Sequence, residues 1–397
     1  GSRLYPLTQS RTKPSVPFGG SYRLVDFALN NFINSDLSRI YVLTQFKSQS
    51  LNTHLSDAWE LNNMTDTFID AIPAQMRMGK HWYSGTADAI YQNIQFIQED
   101  DAELVCIFGS DHIYKMDIRQ KITFHEEKDA VLTVSAIKLP KEQAYHFGII
   151  EVDEEGRMVG FAEKPAVEDA KTIPGDPDHV LASMGNYVFN SKALQSELII
   201  DAKNEDSSHD FGKDIIPKLY PQGKVFVYDF TKNTIVNEAN DESAAYWRDV
   251  GTIESYWEAN MDLVKPNPPI SLYNPKWPLH TDYPALPPAN FRNGDSSVCC
   301  IRQSLISDGC YITGALIKKS VLGFKCIIGQ ETDIYESVLL GDTKIGKNCR
   351  IYKTIIDKDV QIADNVEIGI NLEEDKKRFT VSDEGIVVIP KGARIGF

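Results

Sequence analysis

The 397-residue chain has no apolar run approaching the ~20 residues that a membrane-spanning helix needs, and no signal peptide is visible in it. The expectation is a cytoplasmic protein, with a plastid as the alternative and no membrane partner. Basic residues are in short supply, 41 against 56 acidic ones, for a net charge of −15. That balance argues against a nucleic-acid partner, which needs a basic face. An anionic ligand must then be held by locally concentrated cations and backbone N–H groups. The six cysteines include no C-x-x-C pair, and no cluster of histidines accompanies them, so zinc is not expected. Free thiols in a reducing compartment are the expectation. A Walker A motif and a full G-x-G-x-x-G are both absent. Histidine is missing altogether beyond residue 280. No Ser-His-Asp arrangement or catalytic histidine stands out, and His112 and His209 read as structural.

Residues 1 to about 263 alternate strand and helix signals. SRIYVLTQ (38–45), LVCIFGSDH (104–112), AVLTVSAI (130–137), HFGIIEVD (146–153), VGFAEKP (159–165), ASMGNYVFN (182–190) and KVFVYDF (224–230) read as strands. TADAIYQNIQFI places Ile90, Ile94 and Ile97 on one helical face, with Thr86 as its N-cap. TIESYWEANMDLV (252–264) reads as another helix. Such alternation predicts an α/β domain, Rossmann-like, with a mostly parallel sheet. The stretch 265–288 holds eight of the chain's 19 prolines and cannot be a regular helix or a central strand. It reads as a linker.

Beyond it, branched aliphatics recur six residues apart: Ile306/Ile312, Val321/Ile327, Ile345/Ile351 and Ile362/Ile368. Six residues overshoot a helical turn but match the short faces of a parallel β-helix. An ordinary β-sandwich is the alternative. The expected division is 1–264 for the α/β domain, 265–295 for the linker and 296–397 for the β-helix.

Five stretches carry candidate chemistry. In GSDHIY (109–114), Asp111 follows an apolar strand, where open α/β sheets bind ligands. In YWRDVGT (246–252), Asp249 is a second carboxylate, and two from distant segments can share one divalent cation. Each is also a plausible capping or ion-paired aspartate. FAEKP (161–165) ends a strand on Glu163 and Lys164, suited to sugar hydroxyls and a phosphate or simply to solvent. WYSGTADAI (82–90) puts Gly85 and Thr86 at a helix start, open to an anion. GSRLYPLTQSRTKP opens with Gly1, Arg3, Arg11 and Lys13 and no acid, the composition of a polyphosphate cradle.

Taken in order, GSRL, TKPSVPFGGSYRLVDFALNN, PAQMRM, WYSGTADA, GSDHIYKMD, FGII, FAEKP, LASMGNYVF, SSHDFGKDIIP, YWRDVGT and EGIVVI resemble the nucleotidyltransferases that make nucleoside-diphosphate sugars. The resemblance is to their bacterial-type ADP-glucose pyrophosphorylase branch, and it runs through essentially the whole chain. It implies a nucleotidyltransferase domain followed by a left-handed β-helix with oligomerising and regulatory roles. In the family, a strand and two glycines stand before GSRL, and they are expected to precede residue 1. The implied reaction is ATP + glucose 1-phosphate → ADP-glucose + pyrophosphate with Mg²⁺, the committed step of glycogen or starch synthesis. By motif, Gly1, Arg3 and Lys13 would serve the ATP phosphates and Gln75 the adenine. Tyr83, Gly148, Glu163, Lys164 and Ser183 would hold glucose 1-phosphate, beside Gly85 and Thr86, and Asp111 and Asp249 the metal. A homotetramer with small phosphorylated effectors between domains is also implied. Ser10 stands where relatives activated by fructose 1,6-bisphosphate carry lysine, which weakens the case for that activator. Arg11 neighbours it, and Lys358 and Lys391 resemble effector-binding lysines of the photosynthetic branch.

Three other readings compete. A transferase using thymidine or guanine nucleotides fits WYSGTADA and EGIVVI less well. An acyltransferase lacks a histidine base in the β-helix. A non-catalytic regulatory subunit is disfavoured by the retention of Arg3, Lys13, Asp111 and Asp249.

Overall fold

A computed structural model describes residues 2–60, 67–75, 82–238, 245–295 and 297–397. The N-terminal loop leads into a short hairpin, β1 (Pro17–Phe18) and β2 (Tyr22–Arg23), and then into α1 (Leu24–Asn34). β3 (Arg39–Thr44) runs parallel to β4 (Phe68–Pro73), with α2 (Gln49–Ala58) between them. The expected helix of TADAIYQNIQFI is broken into α3 (Thr86–Tyr91) and α4 (Ile94–Asp100). Gly85, not Thr86, takes the N-cap position of α3. Ile90 and Ile97 still pack against one core, and Ile94 is buried.

The main sheet is built on β10 (His179–Asn190). One edge of β10 pairs with β7 (Leu132–Pro140), and β11 (Val225–Asp229) lies parallel outside β7. The other edge is shared. β8 (Gly148–Val152) takes Leu181 and Ala182, whereas β5 (Leu104–Ile107) takes Tyr187 to Asn190. β9 (Met158–Glu163) completes the sheet beyond β8. The pairings of β10 are antiparallel, so this sheet is mixed, while across the described residues parallel pairings predominate. The stretch read as one strand, LVCIFGSDH, is two: β5, then β6 (His112–Tyr114), which pairs with β12 (Trp247–Asp249). Helices α5 (Ile118–Glu127), α6 (Ser191–Asp201), α7 (Ile216–Leu219) and α8 (Ile253–Asp262) complete this part.

No regular element occurs between α8 and the strand Asn290–Arg292. The proline-rich stretch is nonetheless fastened down. Ile270, Trp277 and Leu279 are buried, His280 N–H donates to Asn30 Oδ1 (2.7 Å), and the Thr281 hydroxyl donates to Asp26 Oδ2 (2.7 Å). Proline denies this segment a ladder, so side-chain and cap-like bonds hold it instead.

From residue 290 onward, three stacks of short parallel strands form a β-helix. Ile312, Ile317, Leu322, Ile328, Ile334, Leu339, Ile345 and Ile351 fill it. The inward residues recur five or six apart, so three of the four pairs read from sequence fall in or against this core and one pair is out of phase. Ile327 points outward, and Val321 belongs to a different core; Leu322 and Ile328 are the inward residues. Both positions lie in aliphatic doublets, Val-Leu and Ile-Ile, where hydrophobicity alone cannot choose a face. Val321 packs with Val338, Ile355 and Val388 of the β-helix against Leu4, Leu7 and Val16 of the N-terminal loop, Phe18 of β1 and Tyr256 of α8. The two parts of the chain therefore share a core. Among the described residues, no helix is long and apolar enough to cross a membrane.

Candidate functional site

Because β8 and β5 meet the same edge of β10 at different heights, the sheet leaves a gap between them. A cleft of about 780 Å³ includes this gap and runs on along β3, β5 and α1. On one side of it, antiparallel register sets Asp249, the last residue of β12, opposite His112, the first of β6. Asp249 thereby comes beside Asp111, although 138 − 1 = 137 residues separate the two in sequence. The Lys13 ammonium bridges them, 2.9 Å from Asp111 Oδ2 and 2.9 Å from Asp249 Oδ1. Burial alone would lower the Lys13 pKa, but the two carboxylates outweigh it and raise it. Burial likewise opposes ionisation of Asp111, yet His112 and Lys13 hold its pKa below the ordinary carboxylate value. Both groups are thus charged at neutral pH. Two carboxylates converge on one cation, and each side chain retains partial exposure to the cleft.

On the other side, Gly148 at the start of β8 pairs with Glu163 at the end of β9. Lys164 turns the chain there with φ +49°, and its ammonium lies 3.2 Å from Glu163 Oε1. Two glycines keep this corner open. A Cβ on Gly148 would come 2.5 Å from the Phe161 ring, and one on Gly212 would come 2.8 Å from Glu163 Oε2. Arg3, Thr86 and Ser183 also line the cleft. The arrangement offers two carboxylates for a hard cation, three cations for phosphates, and an acid with hydroxyls for a sugar.

Residues 1–265 match the family model described as nucleotidyl transferase, and residues 287–389 match a GlmU-like C-terminal hexapeptide model. A glucose-1-phosphate adenylyltransferase of Aliivibrio fischeri is 63% identical over 397 residues, all of this chain and 97% of the relative. Glucose-1-phosphate adenylyltransferase 1 of Vibrio parahaemolyticus is 62% identical with the same coverage. The enzyme of that name from an Anaeromyxobacter species is 48% identical, covering all of this chain and 96% of the relative. The chain belongs to the glucose-1-phosphate adenylyltransferase family. It is a nucleotidyltransferase whose second part is a left-handed β-helix of hexapeptide repeats.

Of the residues that the adenylyltransferase motifs nominate, Arg3, Lys13, Thr86, Asp111, Gly148, Glu163, Lys164, Ser183 and Asp249 border one cleft. Tyr83 and Gly85 stand behind it. The Tyr83 hydroxyl accepts from Asn93, which does line the cleft. A Cβ on Gly85 would meet the His209 carbonyl at 2.2 Å, so only glycine allows Ala87 N–H to reach that same carbonyl at 2.8 Å. Gln75 lies exposed two residues beyond β4 and away from the cavity lining. Gly1 falls outside the described residues.

Four further nominees lie elsewhere. Ser10 is exposed on the loop. Arg11 is buried: its Nη2 reaches both oxygens of Asp357 at 2.6 and 2.7 Å. Lys391 is exposed and 3.4 Å from Asp359. Lys358 borders a separate cavity of about 130 Å³ with Arg23, His54 and Lys325, between the hairpin and the β-helix.

Sequence reasoning missed several cleft residues. His112 Nε2 sits 3.6 Å from Asp111 and 3.9 Å from Asp249 at the cleft, whereas His209 is bonded to Asp201 at 2.9 Å. His146, Trp247, Asp210, Phe211 and Gly212 also line the cavity. The signal for the last three was the glycine of SSHDFG. Asp210 joins that loop to α3, for the Thr86 hydroxyl donates to its carboxylate at 3.1 Å and accepts from Phe211 N–H.

Proposed function

We propose that this cleft transfers the adenylyl group of ATP to glucose 1-phosphate, releasing pyrophosphate and forming ADP-glucose for glycogen or starch synthesis. The observation that carries the reading is the convergence of Asp111 and Asp249 on Lys13, facing the Glu163–Lys164 corner across one cavity. A phosphate oxygen of glucose 1-phosphate attacks the α-phosphorus. The new O–P bond forms as the bond from the α-phosphorus to the pyrophosphate oxygen breaks. The attacking oxygen is already anionic at neutral pH, so no general base is required. What the protein must supply is alignment and charge neutralisation.

Lys164 pairs with the sugar phosphate, while Glu163 and Ser183 take sugar hydroxyls, with Gly148 keeping the backbone close and Tyr83 bracing Asn93. Arg3 and Lys13, with Gly1, offset charge on the departing pyrophosphate, and Gln75 reads the adenine. Asp111 and Asp249 form the hard-oxygen donor set that suits Mg²⁺, an ion that keeps several waters and shares the rest of its shell with substrate phosphates. When bound, the metal would neutralise phosphate charge and make the α-phosphorus more electrophilic.

The division at 1–264, 265–295 and 296–397 belongs to the same reading. It is supported by the end of α8 at Asp262 and the first β-helix strand at Asn290. A homotetramer and phosphorylated effectors are part of it too. The small cavity near the hairpin, lined by Arg23, Lys325 and Lys358 together with Asp282 and Asp342, is the candidate place for an effector phosphate. Ser10 and Lys391, which do not line that cavity, contribute less, and Arg11 serves the junction with the β-helix. The test is a panel of nucleoside triphosphates with glucose 1-phosphate and Mg²⁺, read by pyrophosphate release. Turnover with ATP well above the others is expected; preference for dTTP or GTP would refute the nucleotide assignment.

A further inference from the structure

Strand β10 leaves its ladder with β7 between Ser183, opposite Ala136, and Tyr187, opposite Val134. Two more residues are used on β10 than on β7, which makes a bulge. The bulge falls where the other edge of β10 passes from β8 to β5. Ser183, Met184 and Gly185 face the cleft from it, and Gly185 takes φ +70°. Backbone released from its ladders needs other partners for its buried polar groups.

One partner comes from α5. Lys121 Nζ donates to the Asn186 carbonyl at 2.7 Å, and both residues are fully buried. The Asn186 side chain donates in turn to the Tyr114 hydroxyl at 3.1 Å. Tyr114 pairs with Trp247 in the same two-stranded ladder that sets Asp249 beside His112. No carboxylate pairs with Lys121 among the described residues; its ammonium stands 5.3 Å from the centre of the Phe108 ring. Burial lowers its pKa to about 7. A methionine would fill the same space without burying an ammonium, which is costly when unpaired. What lysine adds is a donor for a carbonyl that the bulge has orphaned.

We propose that Lys121 is a positioning residue for the sugar-phosphate side of the cleft: through the Asn186 carbonyl it fastens the β10 bulge and so sets where Ser183 and Gly185 stand. The proposal rests on the assignment of Ser183 to glucose 1-phosphate. Its test uses the full chain carrying Lys121→Met, with Lys121→Gln as a smaller variant that keeps an N–H donor. Losing one hydrogen bond to a buried carbonyl corresponds to about a tenfold rise in KM for glucose 1-phosphate in Lys121→Met, with kcat changed by less than about threefold. Lys121→Gln recovers part of the loss. Amide hydrogen exchange across 184–186 accelerates in Lys121→Met without any substrate, which reads the clamp independently of the reaction.

A double-mutant cycle with Ser183→Ala gives non-additive effects on KM, because both changes act on one element. Unchanged exchange at 184–186, or an unchanged KM in Lys121→Met while Ser183→Ala raises it, overturns the proposal. An unchanged KM in Ser183→Ala alone, with exchange still accelerated in Lys121→Met, overturns the sugar-site assignment and leaves the clamp standing. Should Lys121→Met fail to fold, the Lys121→Gln exchange rates decide.

Discussion

Removing the Arg11 charge should loosen the joint between the N-terminal loop and the β-helix. Arg11 and Asp357 lie 346 positions apart and are both buried, with Nη2 2.6 and 2.7 Å from the two carboxylate oxygens. Beyond arginine, Asp357 Oδ1 accepts only the Lys358 N–H, at 2.7 Å, among the described residues. Arg11→Met keeps most of the aliphatic stem and leaves a carboxylate inside the protein with that single partner. Breaking a buried pair from one side costs about 3–5 kcal/mol, whereas replacing both partners with apolar groups is often neutral or stabilising. The double variant Arg11→Met/Asp357→Leu should therefore regain most of what the single variant loses. Urea unfolding followed by tryptophan fluorescence reads this directly. Trp257 of α8 donates to the Glu336 carbonyl of the β-helix at 2.8 Å and so reports on the joint. A single variant within about 1 kcal/mol of the parent, or a double variant less stable than either single one, would refute the argument. Arg11 stands two residues before Lys13. A loosened joint should accordingly also raise KM for ATP in the single variant and restore it in the double one.

Other outcomes follow from the cleft. Asp111→Asn should lower kcat about 10²–10³-fold with little effect on KM for glucose 1-phosphate, whereas Lys164→Ala should raise that KM and spare kcat; steady-state kinetics with pyrophosphate release distinguishes them. Gly212→Ala places a methyl 2.8 Å from Glu163 Oε2 and should raise KM for glucose 1-phosphate without a comparable loss in melting temperature. Lys121 gives a pH signature. Its folded pKa of about 7 lies below the unfolded value near 10.4. Between these values the unfolded chain holds a proton that the folded chain does not, so stability rises with pH. Lys121→Met should remove a slope of about 1 kcal/mol per unit between pH 7 and 8.5, measured by urea unfolding at several pH values. The window ends there because burial lifts the neighbouring Cys106 thiol to about 11, and above the ordinary thiol value that group works in the opposite sense. Parallel stability curves for parent and variant would contradict the buried-ammonium reading.

Strand positions, the β-helix repeat and nine residues of the cleft lining were legible because each rests on a local regularity. Alternation, a six-residue repeat and short polar runs at strand ends are properties of a few neighbouring residues. What escaped the sequence depends on register between distant segments. Nothing local says that Asp249 pairs opposite His112, so two aspartates could be nominated but not placed beside one lysine. Arg11 reads as one more cation of a phosphate loop until Asp357, far along the chain, is brought to it. The doublets Val321-Leu322 and Ile327-Ile328 look alike from either face; Val321 docks outward against the neighbouring core, whereas Ile327 is outward and exposed. Lys121 shows the limit most clearly. On a helix segment reading IRQKITFHEE it resembles any solvated lysine, yet it is fully buried. The cause is a bulge on a strand more than sixty residues away in sequence, which exists because β10 changes partner there. The gap between β5 and β8 that opens onto the cleft is the same gap that strands the Asn186 carbonyl. Opening a sheet to make a cleft thus creates the need for a donor behind it, and that coupling is visible only once the topology is known.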